Sequence, residues 1–380
     1  MADPAGGQLL VVDDDGVNRL VLGRYLQRQG HLVAYAENGR QALEMLHAQP
    51  FEMMLLDIEM PELNGYQVLE HMLADARLRD IPVIVTSALD EMDSVVKCIQ
   101  MGAEDYLTKP VDQVLLRARV DASLEKKHLR DAQRDLLRKM EAELEFAREI
   151  QRSILPGELP RKNGWDFGAL MVPARAVGGD FYTFMELDEN RVGIAVGDVS
   201  DKGVPAALFM ALTFSLINIE ARRSFSPRDV LSQVNHYLLS MNQATMFITV
   251  LYGILDRVTR EFQYARAGHD KPILLDANGK LLELDFQLGQ ALGLLPEPKL
   301  DEEHIILPAG GTLLMFTDGA TEAMDADGQL FGRERLRTAL GANHAGRAQS
   351  ICAEIWHAIQ TFSGDQPMHD DVTLVAVKLE

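Results

Sequence analysis

The chain has 380 residues, 47% of them hydrophobic and 25% charged. That is ordinary globular usage: it excludes a disordered, collagen-like or low-complexity chain, and the length favours two or three domains. A net charge of −20 repels phosphate backbones and argues against a nucleic-acid partner, while it suits carboxylate clusters that hold hard cations.

Two cysteines, Cys98 and Cys352, support neither a disulfide framework nor a thiol metal site, so a reducing compartment is expected. The N-terminus lacks the basic region and apolar length of a signal peptide. The longest uncharged stretch, residues 204–219, contains Pro205, Thr213, Ser215 and Asn218 and is too short to span a bilayer. It reads as a buried helix. The expectation is a soluble, cytoplasmic protein with no membrane partner.

Residues 8–120 alternate apolar runs with amphipathic helical patterns. The runs are LLVVDD (9–14), VAYA (33–36), MMLLDI (53–58), PVIVTSA (82–88) and DYLTKP (105–110). Five such repeats predict a doubly wound α/β domain with a parallel five-stranded sheet, because strands buried on both faces are continuously apolar. Residues 121–155 are charge-rich, without Gly or Pro. Leu137, Met140, Leu144, Ala147, Gln151 and Ile154 follow 4-3 spacing. This predicts a helix with a narrow seam, either a short coiled coil between two copies or a helix packed on its own chain. LPGELPRKNGWDFG (155–168) reads as a connector. Beyond it, strand-like runs at 191–199, 246–256, 261–268, 272–276, 311–319 and 371–379 are separated from helical patterns at 204–222, 227–241, 333–341 and 347–361. That segregation predicts an α+β half with antiparallel sheets. The boundaries drawn are 1–122, 123–156 as a helical linker, and 157–380.

Chemistry-bearing residues fall at the ends of the N-terminal runs. Asp13, Asp14 and Asp15 follow the first, Asp57 ends the third, Ser87 the fourth and Lys109 the fifth. In an open parallel sheet these ends meet in one crevice. Crowded carboxylates there need a cation, and an oxygen-only site suits Mg²⁺. A carboxylate can also attack a phosphoryl group to form an acyl phosphate. Over about 115 residues the pattern resembles the receiver domain of two-component response regulators, through VVDDD, LLDIEMPELNG (55–65), TSALDE (86–91) and YLTKP (106–110). The resemblance implies Asp57 as phosphoacceptor for a sensor histidine kinase. It implies Mg²⁺ held by Asp13, Asp14, Asp57 and the Glu59 carbonyl, with Ser87 and Lys109 facing the phosphoryl group. It also implies a cis Lys109–Pro110 bond and a switching aromatic at Tyr106.

The C-terminal half carries five acidic signatures: VGGDF (177–181), GDVSDKG (197–203), AGHD (267–270), FTDGATEA (316–323) and HDDVTLV (369–375). Carboxylates beside glycines at strand ends, with no nearby cysteine, point to Mg²⁺ or Mn²⁺ rather than zinc. Five such elements in this order resemble the PPM-type metal-dependent serine/threonine phosphatases, in the bacterial branch of stress-response and stage II sporulation phosphatases. EFAREIQRSILP (145–156) resembles that branch's entry helix. The family implies an antiparallel β-sandwich flanked by helices and two Mn²⁺ or Mg²⁺ ions. Asp180 and Asp198 would bridge them, with the Val199 carbonyl, Asp318 and either Asp370 or Asp371 completing the set; Asp370 is favoured by its place before x-x-Thr. Thr183, Asp270 and Lys271 depart from the branch's usual residues. Arg175 is the nearest candidate for a phosphate-binding cation, and His269 reads as a turn-holding residue rather than a general acid.

Together the resemblances imply a response regulator whose output is a phosphoprotein phosphatase. The substrate would be a phosphorylated anti-sigma-factor antagonist in a stress-response partner-switching pathway, and the chain would act as a homodimer. The competing reading is a phospho-gated adaptor without catalysis; retained carboxylates separate the two. A kinase-like output lacks a nucleotide-binding glycine loop.

Overall fold

A computed structural model describes residues 7–88, 92–160, 164–241, 246–285 and 289–380, in two compact units, Met1–Met140 and Glu141–Glu380. In the first, strands and helices alternate: β1 (Gln8–Val12), α1 (Gly16–Arg28), β2 (Leu32–Ala36), α2 (Gly39–Ala48), β3 (Met53–Asp57), α3 (Gly65–Ala74), β4 (Val83–Ser87), α4 (Met92–Gln100), β5 (Asp105–Thr108) and α5 (Gln113–Ile154). The five strands are parallel in the order β2-β1-β3-β4-β5. Both faces are covered. Leu9, Val11 and Leu55 pack towards α1 and α5, and Leu10, Val12 and Leu56 towards α2 and α3. This is the doubly wound arrangement expected from the continuous apolar runs.

The linker is not a separate helix. α5 begins at Gln113, and Leu116, Val120 and Leu124 bury its first turns in the core of the first unit. Their i, i+4 spacing puts them on one face, and no Gly or Pro stops the helix before its charged stretch.

The second unit holds β6 (Trp165–Val172), β7 (Phe181–Glu186), β8 (Arg191–Val199), α6 (Val204–Glu220), α7 (Pro227–Met241), β9 (Ile248–Asp256), β10 (Glu261–Ala267), β11 (Ile273–Leu275), β12 (Leu281–Leu282), β13 (Asp301–Ile306), β14 (Thr312–Phe316), α8 (Gly319–Glu322), α9 (Gly332–Ala342), α10 (Ala348–Ser363) and β15 (Val372–Leu379). Its strands form two antiparallel sheets, β13-β10-β9-β8-β7 and β12-β11-β14-β15-β6. Phe167, Ile194, Leu251, Met315 and Val375 join the two inner faces in one core. Residues of opposite parity face outward: Ala195 and Tyr252 meet α6 and α7, while Leu374 and Ala376 meet α9 and α10. The period of two thus builds four layers, helix–sheet–sheet–helix. Strand β6 begins inside the segment read as a connector.

Among the described residues no helix is long and apolar enough to cross a membrane.

Candidate functional site

In the first unit the ends of β1, β3, β4 and β5 bring Asp13, Asp14, Asp57, Ser87 and Lys109 to the same edge of the sheet. The carboxylates of Asp13, Asp14 and Asp57 offer oxygens within 4.8 Å of one another. Lys109 Nζ lies 2.8 Å from Asp13 Oδ2 and 2.7 Å from Asp57 Oδ2. Burial pushes the Asp57 carboxyl above its ordinary range, against the pull of Lys109. Burial alone would pull the Lys109 ammonium down, but its bonds to Asp13 and Asp57 outweigh this and raise it. The backbone of Glu59 hydrogen-bonds the Asp57 carboxylate. Asp15, the third of the run, is used otherwise: it caps α1 by accepting the N–H of Val17 at 2.7 Å. Ser87 is buried, Tyr106 is half-buried, and the Lys109–Pro110 bond is cis. The all-oxygen cluster fits a hard divalent cation.

In the second unit, Asp180 stands just before β7, Asp198 is the penultimate residue of β8, Asp318 follows β14, and Asp370 precedes β15. Asp180 is fully buried, and its Oδ2 accepts from the hydroxyls of Thr317 and Thr373, both at 2.7 Å. Burial, then the charges of Asp198 and Asp371, raise its carboxyl well above the usual range. Burial, then Asp318 and Asp370, push Asp198 up to about 7. Asp318 rises to about 6 through burial and the charges of Glu322, Asp370 and Asp270. These carboxylates therefore sense one another's charge. Among the described residues no three of them place oxygens within 4.8 Å, as the first cluster does. The donors are all oxygen, the chemistry that suits hard divalent cations.

The adjacent acids Asp370 and Asp371 do different things. Asp371 accepts the backbone N–H groups of Ala174 at 2.8 Å and Gly179 at 2.7 Å, pinning the loop that leads to Asp180. Gly178 belongs to that loop, where a Cβ would overlap the Asp371 carboxylate. Asp370 pairs instead with Lys202 at 2.8 Å. The Val199 carbonyl lies against Gly179, 3.1 Å from where a Cβ would stand.

His269 is buried, its Nδ1 lies 2.9 Å from Thr249 Oγ1, and burial lowers its pKa to about 4. It is therefore neutral at pH 7 and holds the turn. Arg175 is exposed on the loop before Asp180, and Thr183 is buried in β7. Asp270 pairs with Arg333 of α9 at 3.2 Å, and the Lys271 carbonyl accepts from the same guanidinium at 2.6 Å. These side chains line a cavity of about 480 Å³ that also reaches Asp318. Sequence reasoning missed Lys202, Arg333 and Gln151. Lys202 lay inside a quoted motif, but its partner is 168 positions away. Gln151 had been placed in the apolar seam; in the structure it is buried against Gly178.

Residues 188–380 match the family described as stage II sporulation protein E (SpoIIE), just over half the chain. The chain belongs to the SpoIIE family. Ahead of the SpoIIE domain, residues 9–121 match the response regulator receiver domain. Protein IcfG of Synechocystis sp. is 30% identical over 263 residues, which is 62% of this chain and 41% of that protein. The phosphoserine phosphatase RsbU of Bacillus subtilis is 28% identical over 246 residues, 64% of this chain and 72% of its own length. Among solved structures, the SiaA-PP2C domain of Pseudomonas aeruginosa aligns with a TM-score of 0.55 and 25% identity, covering 64% of this chain and 99% of that one. The SpoIIE domain thus has the PP2C-type phosphatase fold behind a receiver, as the motifs implied. The PP2C-type family as a whole depends on Mg²⁺ or Mn²⁺, and the donor set described above agrees.

Proposed function

We propose that this SpoIIE-family chain is a receiver-controlled protein phosphatase that hydrolyses phosphoserine or phosphothreonine on a protein substrate. The observation that carries this is the convergence of the buried acids Asp180, Asp198 and Asp318 with Asp370, which is paired with Lys202. A divalent pair held there would neutralise the phosphoryl group and supply an activated water. Asp180, Asp198, Asp318, Asp370 and the Val199 carbonyl would hold the pair, and Asp371 would hold the loop rather than an ion. The hydroxyls of Thr317 and Thr373 fix the Asp180 carboxylate in one orientation. Lys202, beside Asp370, is the cation best placed to meet an incoming phosphate.

In the receiver, Asp57 would take the phosphoryl group from a sensor histidine kinase, with Mg²⁺ on Asp13, Asp14, Asp57 and the Glu59 carbonyl. Ser87 and Lys109 would contact the added group. The likeness to the phosphoserine phosphatase RsbU supports a phosphoserine substrate, which would be the phosphorylated anti-sigma-factor antagonist that the sequence resemblance implies. The active form would be a dimer through α5, in which Leu137 and Met140 are about half exposed.

The test is hydrolysis of para-nitrophenyl phosphate with Mn²⁺. Wild type should turn over, and both EDTA and Asp198→Ala should lower the rate at least ~100-fold, equivalent to about 3 kcal/mol. Turnover that survives both would refute the assignment. No turnover by wild type at any Mn²⁺ concentration would leave the adaptor reading.

A further inference from the structure

The loop between β6 and β7 delivers Asp180 to the edge of the sandwich. Its last residues before that aspartate are Gly178 and Gly179, which have no side chains with which to brace themselves. Two outside groups hold them. One is the Asp371 carboxylate on Gly179 N–H. The other is Gln151, in the last turn of α5. Its Nε2 donates to the Gly178 carbonyl at 2.6 Å, and its Oε1 accepts the Gly178 N–H at 3.1 Å. Gln151 is 6% exposed. Both ends of one side-chain amide are thus used on both backbone groups of one residue, out of reach of water. A buried two-point pairing of this kind fixes position, because shifting either partner leaves polar groups unsatisfied.

We propose that Gln151 is a positioning residue for the metal-binding loop: through Gly178 it sets where Asp180 stands. This rests on the phosphatase reading of the carboxylates. It also means that the helix which starts in the receiver ends in a side chain that grips the segment carrying Asp180. Outer groups that orient a metal ligand are typically worth 10–100-fold in metal affinity. Glutamate at this position keeps the shape but loses the donor to the Gly178 carbonyl. Methionine keeps the volume and loses both bonds.

The experiment uses the full chain carrying Asp13→Asn and Asp14→Asn in every arm, so that the receiver cluster does not contribute. Mn²⁺ binding is followed by calorimetry, para-nitrophenyl phosphate hydrolysis is followed against Mn²⁺ concentration, and melting is followed in parallel. For Gln151→Glu and Gln151→Met the Mn²⁺ dissociation constant should rise about tenfold or more. Hydrolysis at saturating Mn²⁺ should recover to within a few-fold of the parent. A purely space-filling Gln151 would give a lower Tm in Gln151→Met with an unchanged Mn²⁺ constant, and that result overturns the proposal. If one variant does not fold, the other decides. If the parent binds Mn²⁺ but does not hydrolyse the ester, the phosphatase reading fails, and the calorimetric constants still decide the role of Gln151.

Discussion

Asp198 lies where burial and neighbouring charge act in the same direction, and its carboxyl is pushed from 3.8 up to about 7. A carboxyl whose pKa rises on folding binds its proton more tightly in the folded state. The resulting stability is present at low pH and is lost as pH rises from 3.8 through about 7. In EDTA, the stability of the second unit should therefore fall between about pH 4 and about pH 7, by an amount on the order of 1–4 kcal/mol, and its melting temperature should fall with it. Mn²⁺ should flatten the curve by taking the proton's place, and Asp198→Asn should flatten it without metal. Thermal melts across pH check this; a Tm that climbs with pH in EDTA contradicts it. At the same scale, Gly178→Ala should destabilise the second unit by about 1–3 kcal/mol, because the new methyl displaces the Asp371 carboxylate from the loop. Denaturant titration reads the loss. The strand-end aspartates stood out in the sequence through their glycine neighbours, and the place before x-x-Thr favoured Asp370 over Asp371 as a ligand. What Asp371 does instead was not legible, because the N–H groups of Ala174 and Gly179 that it accepts are nearly 200 positions away.

α5 combines three environments along one helix. Its first turns are core and its last turn carries Gln151 into the second unit, while the stretch between is exposed. The 4-3 seam read from the sequence therefore divides. Leu137 and Met140 are open, whereas Leu144 and Ile154 are half-buried and Gln151 is buried. Among the exposed apolar residues, Leu129, Leu136 and Ile150 recur at heptad intervals, interrupted by Glu143, and Met140 stands four residues after Leu136. The dimer seam should follow these residues. Leu136→Glu with Met140→Glu should yield monomers of unchanged Tm in analytical ultracentrifugation. Leu144→Glu should instead lower the stability of the second unit by about 1 kcal/mol, since it carries a charge into a half-buried position. A double variant that stays dimeric refutes the seam. Two alternatives were open in the sequence because heptad spacing and an amphipathic stripe share the same period; burial differs along the helix, so packing on its own chain describes the end at Gln151 and leaves the exposed stretch for the proposed seam.

Across the whole molecule, the parallel half was easier to read than the antiparallel half, for a physical reason. Strands such as β3 are buried on both faces and announce themselves as unbroken apolar runs. β13, an edge strand reading DEEHII, is half-exposed and shows no such run. β6 was hidden by Gly164 and Gly168; a Cβ on Gly168 would overlap the Ala348 backbone at the start of α10, so glycine there reflects close packing rather than a turn. α5 has no Gly or Pro from Gln113 to Ile154, and Gln151 in its last turn bonds Gly178. Phosphorylation shifts the output only as far as the two states of that helix differ in free energy. A Gly-Gly insertion after Glu141 should therefore leave both folds intact and abolish the response. The most direct measurement is phosphate release from a phosphoserine protein by the full chain with Mn²⁺, with and without the acyl-phosphate mimic beryllofluoride, in wild type and in Asp57→Asn. Beryllofluoride should raise the wild-type rate several-fold and leave Asp57→Asn unchanged; a metal-independent rate, or one that responds equally in both proteins, would contradict a receiver-controlled, metal-dependent phosphatase.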